Sequence, residues 1–290
     1  VDAFRTSGGE MVEQLADFLA ESQDKLHDCV LPFTPPDSRL AHWKSRLKNN
    51  AAVESGRLWK ENLLEEVLAQ SNRLHDPRYA GHQVAVPLPQ LAWLQAATAL
   101  LNNGMAIDEM GPASSPMEEA VMQELAQFMG LGPGASGILC HGGTLASLTA
   151  LLAARQRKAS GNSWKDGSMR PCAVMVSEQA HYCVDRAVRV MGWGAAGTVK
   201  VRTLGNHQID PEALQESLEE ATAQGMEVIA VVGNACTTST GTFDDLEMLA
   251  SFAQENDLWF HVDGAHGAAQ VFSERNKAPL KGMELADSVA

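Results

Sequence analysis

Cationic residues are scarce in this chain: 22 Lys and Arg face 36 Asp and Glu, a formal net charge of −14. Such a surface repels polyanions, which excludes general nucleic-acid binding and adhesion to acidic membranes and favours a small-molecule partner. Cysteine is also sparse. Cys29, Cys140, Cys172, Cys183 and Cys236 are odd in number and widely spread, without the close spacing of a zinc knuckle or redox pair, so reduced and mostly buried thiols are expected. No apolar run reaches the roughly 18–20 residues that span a bilayer, and the start, VDAFRTSGGE, lacks the basic-then-apolar order of a signal peptide. A soluble, cytoplasmic protein is expected. What is present is an ordinary globular composition, 290 residues with 45% hydrophobic and 20% charged, enough chain to bury a core.

The chain begins at Val1 without Met and stops after MELADSVA, which reads as a cut rather than a natural end. Near the start, Met11, Leu15, Phe18 and Leu19 recur at helical spacing, as do Leu63, Leu64, Val67 and Leu68. Between them Leu31–Asp37 (LPFTPPD) holds three prolines and reads as an extended linker. From about Pro89 the pattern changes. Helices are expected at Leu91–Leu101, Met117–Met129 and Leu145–Arg157, then short apolar runs at Ala173–Val176, Val199–Leu204, Val228–Val232 and Leu258–Val262 alternate with amphipathic stretches. Asp210 stands where an N-cap belongs, Pro211 at the first helical position and Gly225 past the end. A further helix opens at Asp244 and Asp245 and runs to about Asn256. Strict alternation implies an α/β fold, a mainly parallel sheet with helices on both faces, whose ligands bind beyond the carboxyl ends of the strands.

Four segments fall at such positions. In Ser136–Ser147 (SGILCHGGTLAS) Gly142 and Gly143 lead through Thr144 into a helix, which reads either as a phosphate cradle or as a tight turn. In Leu258–Ala269 (LWFHVDGAHGAA) Asp263 ends a strand among small residues, where its carboxylate either caps a turn or meets a protonated heterocyclic nitrogen. His261 and His266 flank that strand end at a spacing that argues against a metal site. His181, in SEQAHYCVDRAVRVMG, can stack on a flat ring or shuttle a proton, or be a packing residue; Arg186 and Arg189 fit a helix's polar face. The fourth segment, GNACTTSTGTFDDL, runs a strand into the hydroxyl-rich turn Thr237, Thr238, Ser239 and Thr240.

In their order and spacing these segments, with His75–Gln83 (HDPRYAGHQ) and Ser115–Met122 (SPMEEAVM), resemble the group II pyridoxal-phosphate-dependent amino-acid decarboxylases, which include glutamate, aromatic-amino-acid and diaminobutyrate decarboxylases. The resemblance runs from about His75 to Ala290. It implies a fold type I large domain over 86–290, incomplete at its end and without the small C-terminal domain, preceded by a helical dimerisation arm over 1–85. It implies pyridoxal 5'-phosphate as cofactor, an amino acid as substrate and a homodimer. Gly143 and Thr144 match the phosphate-cradling positions, His181 the histidine stacked on the ring, and Thr238 the threonine turn near the cofactor. Asp263 matches the partner of the pyridinium nitrogen, Ala265 the small residue on the ring's other face, and His82 and Gln83 the border of the substrate. On this basis His181 and Asp263 are the candidate catalytic residues, and diaminobutyrate or an acidic amino acid is the favoured substrate.

The chain departs from the pattern at Cys140, His141, Tyr182, Cys183 and Cys236. The Schiff-base lysine is expected beyond Ala290, in a His-Lys pair after a stretch like ELADSV, which here fills Glu284–Val289; Lys277 and Lys281 come too early. Two alternatives stand beside decarboxylation. One is another fold type I enzyme, a transaminase or carbon–carbon lyase; the other is a lysine-less, non-catalytic fragment acting as an assembly partner.

Overall fold

The computed structural model describes residues 1–25, 27–49 and 63–290. The chain divides into two units, Val1–Asn102 and Asn103–Ala290. Part of the expected helical arm, residues 50–62, lies outside the described residues.

The first unit holds four helices among its described residues: α1 (Asp2–Asp24), α2 (Pro36–Asn49), α3 (Leu63–Ala69) and α4 (Leu91–Leu101). The proline-rich stretch is shorter as a linker than expected. Pro36 opens α2 instead of blocking it, because its missing N–H would have no intrahelical partner there in any case. Arg73, just beyond α3, is clasped to α1: it donates to Ser22 Oγ at 3.1 Å and the Phe18 carbonyl at 3.3 Å, and lies 4.4 Å above the Phe18 ring.

The second unit opens with α5 (Ser114–Phe128), α6 (Gly143–Lys158) and the short α7 (Ser163–Asp166), and then alternates strand and helix. The order is β1 (Cys172–Ser177), α8 (Cys183–Val190), β2 (Thr198–Val201), α9 (Pro211–Ala223), β3 (Glu227–Asn234), α10 (Leu246–Glu255), β4 (Trp259–Asp263) and β5 (Ser288–Val289). The five strands form one sheet in the order β2-β1-β3-β4-β5, every pair parallel. Side chains alternate between its faces. Met175, Val231, Phe260 and Val262 pack with Leu214 of α9 and Leu246 and Leu249 of α10. Val174, Val176, Ala230 and Val232 pack with Leu151 of α6 and Val184 and Val188 of α8. Coverage of both faces explains why the strands read as continuous apolar runs.

Most boundaries shift by one to three residues from the sequence expectation, and three differences change how the elements are tied together. β2 ends at Val201, not Leu204, because Arg202 turns aside to pair with Asp210 at 2.7 Å and Thr203 bridges to Ile209. Asp245 caps α10 by accepting the Met248 N–H, but Asp244 does not serve that helix start. It is buried and accepts from the Ile209 and Asn234 N–H groups and from Asn234 Nδ2, tying the end of β3 to the segment before α9. The third is an addition: β5 pairs with β4 through His261↔Ser288 and Val262↔Val289.

Candidate functional site

The carboxyl ends of β1, β3 and β4 meet the start of α6 in the second unit. The loops after β3 and β4 are stapled together: the Ala235 N–H donates to the Asp263 carbonyl at 2.8 Å and the Gly267 N–H to the Ala235 carbonyl at 2.9 Å. Gly267 is required there, since a Cβ at that position would lie 2.7 Å from the Ala235 oxygen. The Ala235–Cys236 peptide is cis.

Gly142, with φ of 84°, is the N-cap of α6 and provides no side-chain cap. The Gly142 carbonyl accepts the N–H groups of Leu145 and Ala146, while those of Gly143 and Thr144 precede any intrahelical acceptor. This helix start therefore presents free donors at the positive end of its dipole. It lies directly on the loop after β4, because a Cβ on Gly143 would be 2.6 Å from that of Ala265.

Asp263 is 7% exposed at the end of β4. Its Oδ1 accepts the Ala265 N–H at 3.3 Å and its Oδ2 the Cys183 thiol at 3.3 Å. Neither donor carries charge, and no Lys or Arg pairs with Asp263 among the described residues. The Cys183 sulfur lies 3.9 Å from Ser147 Oγ of α6, and its backbone N–H donates to His181 Nδ1 at 3.3 Å. That bond makes Nδ1 the acceptor, so the neutral His181 ring carries its proton on Nε2. The Tyr182 ring centroid stands 4.0 Å from that of His181, and the Arg186 guanidinium lies 4.6 Å over the Tyr182 ring. Arg189 pairs with Asp185 along α8 at 2.7 Å, as a polar-face residue would.

His261, on the same strand as Asp263, is fully buried, with Nδ1 against Ser288 Oγ at 2.9 Å and Nε2 without a hydrogen-bond partner. Burial pushes its pKa down, which keeps the ring neutral beside Asp263. His266 is exposed. Thr237 is buried and closes the turn after β3 by contacts with Thr240 and Thr242, while Thr238 sits exposed on it. His82 and Gln83 belong to the first unit and are exposed. Lys277 and Lys281 pair with Glu274 at 2.8 Å and Glu247 at 2.9 Å.

The structure thus brings Asp263 and His181 onto Cys183, one of the departures from the family pattern, and sets Gly143 against Ala265 beside Asp263. The signal of Cys183 was available only as spacing, two residues beyond a candidate histidine and at a helix start.

The model of the pyridoxal-dependent decarboxylase conserved domain matches residues 83–290. The chain belongs to the pyridoxal-dependent decarboxylase family. It is 32% identical over 215 residues to a glutamate decarboxylase-like protein of Gibberella zeae, covering 74% of this chain and 41% of that protein. It is 31% identical to an L-2,4-diaminobutyrate decarboxylase of Acinetobacter baumannii, over 79% of this chain and 48% of that one. The fold superimposes with a TM-score of 0.79 on the glutamate decarboxylase domain of a diaminobutyrate-pyruvate transaminase and L-2,4-diaminobutyrate decarboxylase from Vibrio parahaemolyticus, at 24% identity over 96% of this chain and 62% of that one. The family chain therefore has the fold type I architecture expected, and it spans about half the length of the curated relatives it matches.

Proposed function

We propose that the protein decarboxylates an L-amino acid with pyridoxal 5'-phosphate, releasing an amine and carbon dioxide. The observation that carries this reading is Asp263, a nearly buried carboxylate at a strand mouth that has two neutral donors and no cation among the described residues. A buried charge is costly without a partner of opposite sign, and a protonated pyridine nitrogen supplies one. The uncapped start of α6 suits the phosphate, and the close approach of that helix start to Ala265 is possible only because residue 143 is glycine. The residues present fit the cofactor.

Pyridoxal phosphate, when bound, supplies the electron sink for the pair of electrons left on the α-carbon as carbon dioxide departs. The chain's own residues bind and orient. The Gly143 and Thr144 N–H groups hold the phosphate, with Thr238 at its border. Asp263 keeps a proton on the ring nitrogen, His181 packs on one face of the ring and Ala265 leaves room at the other. The family resemblance alone assigns His82 and Gln83, of the first unit, to the substrate. The relatives named above carry diaminobutyrate and glutamate in their names, which supports a small polar or acidic amino acid as substrate.

The protein acts as a cytoplasmic homodimer, with residues 1–85 as the dimerisation arm and 86–290 as the cofactor-binding domain. Reduced cysteines, none of them bridged, suit the cytoplasm. For the dimer, support comes from α4, where Leu91, Trp93, Leu94, Leu100 and Leu101 are all exposed. No described helix is long and apolar enough to cross a membrane.

The test uses the full-length gene product with added pyridoxal 5'-phosphate and a panel of L-amino acids: diaminobutyrate, glutamate, aspartate and an aromatic one. Carbon dioxide release that depends on the cofactor and is lost in Asp263→Ala is expected. No release with any substrate, or release indifferent to Asp263→Ala, refutes the reading. Light scattering of the same protein at dimer mass is expected, and a monomer removes the dimer.

A further inference from the structure

Cys183 is the one residue described above that touches both candidate catalytic side chains. Its sulfur lies 3.3 Å from Asp263 Oδ2, and its backbone N–H holds His181 Nδ1 at 3.3 Å. It is 2% exposed in the first turn of α8 and faces Ser147 of α6, which is fully buried. Burial and the adjacent carboxylate push its pKa up to about 12, so at neutral pH the sulfur carries its hydrogen. An ionised carboxylate only accepts, which fixes the direction of the bond: the thiol donates to Asp263. The Ser147 Oγ lies 3.9 Å from the same sulfur.

The choice of a thiol matters chemically. A cation at this position would compensate the Asp263 charge and compete with the ring nitrogen of the cofactor. A methyl group would leave Oδ2 without a donor in a buried site. A thiol is a weak, uncharged donor. It fixes the carboxylate's rotation, with the Ala265 N–H on the other oxygen, and leaves the full negative charge available. We infer that Cys183 is a positioning residue, whose thiol sets the Asp263 carboxylate toward the cofactor's ring nitrogen and whose backbone sets His181 beside it. The inference rests on the reading of Asp263 given under the proposed function.

The experiment compares wild type, Cys183→Ala and Cys183→Ser in the full-length gene product, with pyridoxal 5'-phosphate as the probe. The infrared S–H stretch of Cys183, isolated as the difference between wild type and Cys183→Ser without cofactor, is expected to shift to higher frequency in Asp263→Asn. Cys183→Ala is expected to weaken cofactor binding about tenfold and to shift the pH midpoint of the bound cofactor's visible absorption, with Cys183→Ser restoring affinity to within about threefold and returning the midpoint toward that of wild type. A stretch unmoved by Asp263→Asn, or a folded Cys183→Ala protein with wild-type affinity and midpoint, overturns the inference while leaving the proposed function standing. Wild type that binds no pyridoxal phosphate overturns the proposed function and this inference with it.

Discussion

The backbone of Gly143 and the methyl group of Ala265 are in such close approach that a Cβ at position 143 would lie 2.6 Å from the Ala265 Cβ. One of these residues opens α6 and the other follows β4, so their contact sets the distance between the helix start and the strand end.

Gly143→Ala is therefore expected to force those two segments apart. Overpacking of this kind costs about 1–3 kcal/mol. A lower urea midpoint at unchanged m-value, together with weaker pyridoxal phosphate binding, is the expected result. Adding Ala265→Gly should recover part of both losses, because it removes the methyl group in the way.

Asp244 anchors three donors that have no water to turn to, two from Asn234 and one from Ile209. Asp244→Ala is expected to destabilise the second unit by about 3 kcal/mol or more, since each buried donor left unpaired costs on the order of 1–3 kcal/mol. Urea unfolding followed by tryptophan fluorescence measures it. Asp245→Ala, which removes only the cap of α10, should cost about 1 kcal/mol.

Strands β1, β3 and β4 were legible because burial on both faces writes them as unbroken apolar runs, and α9 because Asp210 and Pro211 mark its start. β5 was not legible. Two residues, Ser288 and Val289, become a strand through the free edge of β4 and not through their own composition. The role of Asp244 was hidden because its sequence neighbourhood matches a helix start, while its partners include a residue 35 positions away. In the candidate site, Asp263, His181 and Gly143 stood out by their places at strand and helix ends. The Cys183 contact did not, because it joins residues 80 positions apart through a side chain that composition reads as merely buried.

In the first unit, Asp76 is a buried carboxylate that accepts from the Arg78 backbone at 2.6 Å and its guanidinium at 2.8 Å. The Arg78 guanidinium holds its pKa well below the usual carboxylate range. A pKa lower in the folded than in the unfolded chain contributes stability above the unfolded value and loses it as pH falls. The stability difference between wild type and Asp76→Asn should therefore be constant near neutrality. It should shrink as pH drops below about 4, where the unfolded carboxylate begins to protonate. Denaturant titrations between neutral and acid pH read this directly.

The cysteines divide by environment. Burial pushes the Cys172 thiol up to about 11 and the Cys183 thiol up to about 12, whereas Cys29 is exposed. Iodoacetamide at mildly alkaline pH should label Cys29 in the native protein and reach Cys172 and Cys183 only after unfolding, as peptide mass spectrometry would reveal.

Ser147, Cys183 and Asp263 are joined by contacts that close loops of 36 and 80 residues. Contacts of such long range form late, because the entropy of loop closure must be met before they contribute. No local stretch of the chain can assemble this cluster in advance of the parallel sheet. A ligand that recognises it would bind only the completed fold, and would shift the folding equilibrium in proportion to its concentration.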